Sequence, residues 1–270
     1  MSLAVPLILF ALALWMAFVS LTAWIAEPRF RHGSLAASFT LRIFQTYSHL
    51  MHRVRYEGRE NIPRRTPEGH GSRPLLLVAN HTAGIDPILI QSGLPFEARW
   101  VMAKDMRIES LDWLWDFGRI IFVDRQHGEA TGIREALRHL RAGLTLGVFP
   151  EGSIERPARV ILPFQPGIAM LAARSNALIL PVVVDGTPQA DPAWASLTRT
   201  SRARVRFLPV IDPAAQDIIA DALTDHLRGV FARATGWPLQ DHTLRFEDGR
   251  WWFISSDGKR TPEEDLALKG

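Results

Sequence analysis

Residues 74–87, PLLLVANHTAGIDP, decide how this 270-residue chain folds. Pro74–Ala79 is an apolar run too short for a helix, and its unbroken hydrophobicity predicts a strand buried on both faces. Asn80 to Asp86 forms a polar turn, and Pro87 opens a helix expected to reach Ser92. Outward from this stretch the same alternation recurs. Strands are predicted at Ile120–Val123, Leu144–Phe149 and Ala177–Val184, with a more exposed one at Arg202–Leu208, where Arg alternates with Val and Phe. Helices are predicted over Thr131–Ala142, ended by Gly143, over Pro166–Arg174 and over Asp217–Ala234. Strands alternating with helices predict an α/β fold with a largely parallel sheet flanked by helices.

The two ends of the chain follow other patterns. Residues 3–26, LAVPLILFALALWMAFVSLTAWIA, carry no charge, and 21 of these 24 residues are hydrophobic. As a helix the run is about 36 Å long, enough to cross a hydrocarbon core of roughly 30 Å. A cleaved signal peptide fits less well, because no Lys or Arg precedes the run and no Ala-x-Ala site closes it. The expectation is therefore an N-terminal membrane helix, with residues 1–33 serving as anchor and basic flank. Arg29 and Arg31 follow the run directly, which puts the rest of the chain in the cytoplasm; the expected location is a bacterial inner membrane. Within residues 34–60, a stripe of Leu35, Phe39, Ile43, Tyr47, Leu50 and Val54 predicts an amphipathic helix lying in the membrane interface or packed on the domain. At the other end, residues 236–270 include LRFEDGRWWFI (244–254), whose Asp248-Gly249 between apolar arms predicts a β-hairpin. Residues 255–270 are polar and expected to fray.

Composition narrows the chemistry. With no cysteine, disulfides, thiolate metal sites and cysteine nucleophiles are excluded. A hydrophobic content of 47% and a charged content of 22% exclude a disordered chain. The net charge of +3 gives no reason to expect a nucleic-acid partner. That charge is uneven, since residues 27–65 hold eight arginines and three glutamates, which suits a surface of anionic lipid.

Three polar clusters follow predicted strands, where open α/β sheets place their sites. The first holds His81 and Asp86. A histidine held by a carboxylate through one ring nitrogen presents the other as a proton acceptor, although a His and an Asp five residues apart also occur by chance. In the second, Arg125 ends the strand Phe122–Val123 and could fork onto a phosphate or pair with Asp124 or Glu129. The third, Phe149-Pro150-Glu151-Gly152-Ser153, brings a carboxylate, a flexible backbone and a hydroxyl to one turn. It lacks the Gly-x-Ser-x-Gly frame of a nucleophile elbow.

In this order and spacing the clusters resemble the glycerophosphate and lysophospholipid acyltransferases, notably the 1-acylglycerol-3-phosphate acyltransferase family. His81 and Asp86 match its His-x4-Asp motif, Phe122–Arg125 its strand ending in Arg, and Phe149–Ser153 its Phe-Pro-Glu-Gly-Ser/Thr. Ile179–Val184, with Pro181, matches its proline-containing strand, and Pro163–Gly167 its Pro-Phe-x-x-Gly. The resemblance covers about residues 70–210 and implies an acyltransferase domain over 70–235. It implies His81 as general base, oriented by Asp86, with Arg125, Glu151, Gly152 and Ser153 holding the acceptor and Lys104 at a basic family position. It further implies membrane lipids and a lysophospholipid acceptor as partners, acyl-CoA or acyl carrier protein as donor, and no metal or other cofactor.

One departure leaves the acceptor open. The family's lysophosphatidate enzymes usually place Arg directly after Glu-Gly-Ser/Thr, whereas this chain has Ile154, with Arg156 and Arg159 further on. Either Arg156 swings in as a substrate-binding residue, or the acceptor is another lysolipid, such as a phosphodiester or an amino-acid lipid. A thioesterase or transacylase, and a catalytically silent lipid-binding homologue, are the remaining alternatives.

Overall fold

The computed structural model describes residues 14–18, 20–22, 35–64, 73–124, 130–247, 250–255 and 257–262. Its centre is a seven-stranded sheet. In chain order the strands are β1 (Arg55–Glu57), β2 (Leu75–Ala79), β3 (Arg99–Ala103), β4 (Ile121–Val123), β5 (Thr145–Val148), β6 (Leu178–Asp185) and β7 (Arg204–Phe207). Their spatial order is β1-β7-β6-β2-β5-β3-β4. From β6 to β4 every neighbouring pair is parallel. β7 runs antiparallel to β6, and β1 parallel to β7. The predicted α/β class, with a mostly parallel sheet between helices, is the one observed.

Both faces are covered, for the reason visible in β2. Leu75, Leu77 and Ala79 point to one side and Leu76 and Val78 to the other, all fully buried. Leu76 and Val78 pack with α4 (Ala130–Arg141), α5 (Gly167–Ser175) and α6 (Ala220–Thr235) through Leu140, Ile168, Leu227 and Phe231. Leu75 and Leu77 pack with α2 (Asp86–Gly93) through Leu89 and Ile90. A short helix α3 (Asp112–Phe117) precedes β4.

Helix α1 (Leu35–His52) confirms the predicted helix but turns its faces in an unexpected way. Leu41, Ser48 and His52 are buried, and Gln45 donates to the Ser92 carbonyl while Ser48 meets the Ser92 hydroxyl at 3.1 Å. The polar side thus docks on α2. Of the apolar stripe, Val54 is buried and Tyr47 half-buried, but Phe39, Ile43 and Leu50 remain 51%, 48% and 72% exposed.

Some expectations need correction. The N-terminal membrane helix over residues 3–26 falls largely outside the described residues. Within it, 14–18 and 20–22 are helical, with Leu14, Trp15, Met16, Phe18 and Leu21 exposed. Among the described residues no helix is long and apolar enough to cross a membrane. The more exposed strand expected at Arg202–Leu208 is present as β7, with Arg204 exposed and Val205 and Phe207 buried, and the polar strand β1 lies along its outer edge. Strand β3 was not expected, because Arg99 and Trp100 interrupt its apolar character. The C-terminal hairpin is present as β8 (Thr243–Glu247) and β9 (Arg250–Ile254). The tail beyond it does not simply fray, since β10 (Arg260–Pro262) adds a third antiparallel strand.

Candidate active site

Strands β2, β5, β3 and β6 are parallel, so their C-terminal ends emerge on one edge of the sheet. That edge carries His81 after β2, Glu151–Ser153 after β5, Lys104 after β3, Asp185 at the end of β6 and Gly186–Thr187 after it. Sheet order therefore joins residues up to 106 positions apart in sequence. Asn80 ties two of these ends together: its side-chain amide donates to the Val184 carbonyl at 2.9 Å, and its oxygen accepts the Val184 N–H at 2.8 Å.

Asp86 begins α2 and is fully buried. Its Oδ2 accepts the Thr82 and Ala83 N–H groups at 2.6 and 2.8 Å, and its Oδ1 accepts the Thr82 hydroxyl at 3.1 Å. His81 Nδ1 lies 3.0 Å from the same Oδ2. A carboxylate already surrounded by donors accepts there too, so the proton sits on Nδ1 and the Nε2 lone pair is left as the acceptor. The ring itself is held by stacking on Phe149, with centroids 4.1 Å apart and planes 19° apart. Trp100 stacks on the same Phe149 at 5.3 Å. Gly147 makes this possible, because a Cβ there would stand 2.6 Å from the Trp100 ring.

The turn after β5 is of another character. Gly152 has φ +71°, a left-handed conformation that glycine adopts without strain, and Ser153 is half-buried beside it. Glu151 is buried, and neither carboxyl oxygen has a hydrogen-bond partner. Burial above all, then the nearby Glu155 carboxylate, pushes its pKa well above the usual carboxylate range. The His81 and Leu162 amides act in the opposite direction without reaching good bonding geometry. Glu155 is only 2% exposed, and burial raises its pKa to about 8, aided by the Asp86 and Asp185 carboxylates and opposed by the Arg159 and Val160 amides. Its own N–H donates to the His81 carbonyl at 2.8 Å, bracing the two turns against each other.

The other expected site residues are placed as follows. Lys104 is exposed in the turn after β3, two strands from β2. Arg125 lies outside the described residues. Arg156 donates to Asp191 at 3.0 Å and lies 4.7 Å over the Trp251 ring. Trp251 Nε1 donates to the same Asp191 carboxylate at 3.2 Å, so the C-terminal hairpin clasps the segment following Ser153. Sequence reasoning gave Asn80, Phe149, Trp100 and Glu155 no role. Phe149 and Asn80 stood inside the quoted clusters, whereas nothing local marks Glu155 or Trp100. Among the described residues no group of three or more His, Asp or Glu side chains could hold a metal ion.

Known proteins resemble this chain in sequence and in fold. The family model described as Acyltransferase matches residues 53–185. A 1-acyl-sn-glycerol-3-phosphate acyltransferase of Borreliella burgdorferi is 28% identical over 136 residues, covering 48% of this chain and 50% of the relative. An N-acylphosphatidylethanolamine synthase of Arabidopsis thaliana is 30% identical over 132 residues, covering 44% and 46%. The chain thus spans about half the length of the curated relatives it matches. The crystal structure of the 1-acyl-sn-glycerophosphate acyltransferase from Thermotoga maritima shares the fold, with a TM-score of 0.57 and 21% identity over 84% of this chain and 94% of that one.

Proposed function

Because the chain belongs to the glycerophosphate acyltransferase family, we propose that it moves an acyl group from a thioester donor, acyl-CoA or acyl carrier protein, to the free hydroxyl of a lysophospholipid. The observation that carries this reading is the His81–Asp86 pair, fixed in one tautomer at the shared ends of β2, β5 and β6. His81 Nε2 takes the hydroxyl proton as the oxygen attacks the thioester carbonyl. Collapse of the tetrahedral intermediate breaks the carbon–sulfur bond, and the same proton passes from Nε2 to the leaving thiolate. Glu151, Gly152 and Ser153 border the acceptor, and Arg125 and Lys104 supply cations for phosphate or nucleotide. Lysophosphatidate is the reference acceptor, because two relatives are named for acylating glycerol phosphate lipids.

The reaction takes place at a membrane surface, the inner membrane of a bacterium, with residues 3–26 as anchor and the catalytic domain in the cytoplasm. The outward-facing Phe39, Ile43 and Leu50 of α1 support contact with lipid, since an apolar stripe left in water is unfavourable. Purified full-length protein supplied with labelled acyl-CoA and lysophosphatidate is expected to form diacyl lipid, and His81→Ala to lower kcat by about 10²–10⁴-fold with the fold intact. A fully active His81→Ala enzyme overturns the mechanism, and release of free fatty acid alone supports the thioesterase instead. A second reading takes its support from the Arabidopsis thaliana relative, which is named for making an N-acylated phospholipid. In that case an amine replaces the hydroxyl as the attacking group.

A further inference from the structure

Beside the His81–Asp86 pair, where β2, β5 and β6 end, lies a cavity of about 120 Å³. It far exceeds the roughly 10–15 Å³ one water needs. Its polar lining comes from Thr82, Glu155, Arg159, Asp185, Thr187 and Gln189. The hydrogen bonds of these groups fix what they offer a ligand. Glu155 Oε1 accepts the Arg159 N–H at 2.8 Å, but Oε2 has no hydrogen-bond partner although the residue is 98% buried. The Thr82 hydroxyl donates to Asp86, which can only accept, so the Thr187 hydroxyl 2.5 Å away donates to Thr82. What Thr187 has left for the cavity is lone pairs. Gln189 directs its N–H toward the Glu155 carbonyl, and Asp185 Oδ1 accepts the Gly186 N–H at 2.7 Å. Apart from the second Gln189 N–H, and once Glu155 gives up its proton, the interior therefore offers acceptors. Among the described lining residues the one cation is Arg159, whose side chain is 67% exposed at the rim and 3.6 Å from Asp185.

We propose that this cavity receives the ammonium end of a zwitterionic acceptor head group, with the Glu155 carboxylate and Thr187 hydroxyl inside and Arg159 meeting the phosphodiester at the rim. The assignment rests on the acyl-transfer reading and names the substrate class of that site. An ammonium group supplies the hydrogen bonds that Glu155 Oε2 lacks, and the pairing offsets the burial of a carboxylate that has no counter-ion inside the cavity. The order of charges matches the ligand, since phosphate comes first from the glycerol and the ammonium lies beyond it. Without ligand, burial lets Glu155 keep its proton near neutrality, opposed only by the Arg159 and Val160 amides. Ammonium entry displaces that proton while Asp86 and Asp185 stay in place behind it.

The test compares lysophosphatidylethanolamine with lysophosphatidate of the same acyl chain, using labelled acyl-CoA and the full-length protein in detergent. Wild type is expected to show at least a tenfold higher kcat/KM with the ethanolamine lipid, giving an O-acylated product. Glu155→Gln should raise the KM for the ethanolamine lipid at least tenfold more than the KM for lysophosphatidate. A wild-type ratio of one or below, equal losses with both acceptors in Glu155→Gln, or an N-acylated product each overturns the assignment. If Glu155→Gln does not fold, Thr187→Val is read by the same two KM values. Turnover of lysophosphatidate without an ethanolamine preference sinks the cavity assignment alone, whereas no acylation of any lysolipid sinks the acyl-transfer reading with it.

Discussion

Asp86 and Glu155 are both buried carboxyl groups one turn from His81, yet their surroundings are opposite. Asp86 accepts bonds from two backbone amides, one hydroxyl and one imidazole. Glu155 has one oxygen bonded to an amide and the other without a partner, and Glu151 has neither oxygen bonded. The difference separates two tasks. A saturated carboxylate has no capacity left for substrate and serves to hold another side chain in place. An unsaturated one is unfavourable until something arrives, which is the condition of a binding group.

The largest effect is expected where saturation is removed. Asp86→Asn replaces an acceptor with a group that is half donor, facing two N–H groups, a hydroxyl and the His81 ring. It should destabilise the fold by about 3 kcal/mol and lower kcat by about 10²-fold or more through loss of the tautomer. Chemical denaturation and steady-state kinetics on the same preparation check both, and a stable, active variant would break the contrast.

Glu155 offers the next test, through pH. The unfolded carboxyl releases its proton near the ordinary value of 4.5, while the folded one keeps it to about 8. Between those values the folded state binds more protons, so Glu155 favours folding at low pH and that contribution is lost as pH rises toward 8. The melting temperature of Glu155→Gln should therefore fall less than that of wild type between pH 6.5 and 8. His52, His139 and His242, which burial holds below 6.5, titrate beneath this window. Parallel curves would show that Glu155 is ionised in the folded protein.

Two smaller effects sharpen the picture. Phe149→Leu removes the ring stacked on His81 and should lower kcat by about tenfold with little change in KM, in line with roughly 1 kcal/mol for an aromatic pair. An altered KM instead would move Phe149 from orienting the base to contacting substrate. Trp251→Ala releases one side of Arg156 and should shift stability by about 0.5–1 kcal/mol, seen as a small fall in melting temperature.

Much of this was legible in the chain, and the omissions have causes. β2, β5 and β6 were readable because burial on both faces demands largely apolar runs, which Thr145 in β5 interrupts at one position only. β1 and β3 were not: a three-residue polar edge and a strand opening with Arg-Trp carry no such run. The pairing of His81 with Asp86 was readable because the two share one turn. Glu155 was not, since Glu-Arg-Pro resembles any solvated loop until the left-handed Gly152 turns the segment back under His81. The contacts of Arg156 were hidden for the same reason: its partners Asp191 and Trp251 lie 35 and 95 residues away.

The sequence by itself determined the fold class, the family resemblance and the pairing of His81 with Asp86, because apolar period and turn chemistry act between near neighbours. Only the tertiary structure decided which face of α1 looks outward, which carboxylates are satisfied and where a ligand cavity opens. Those properties depend on how distant strand ends meet along one sheet edge, and no local pattern encodes the partner a buried charge will find or lack.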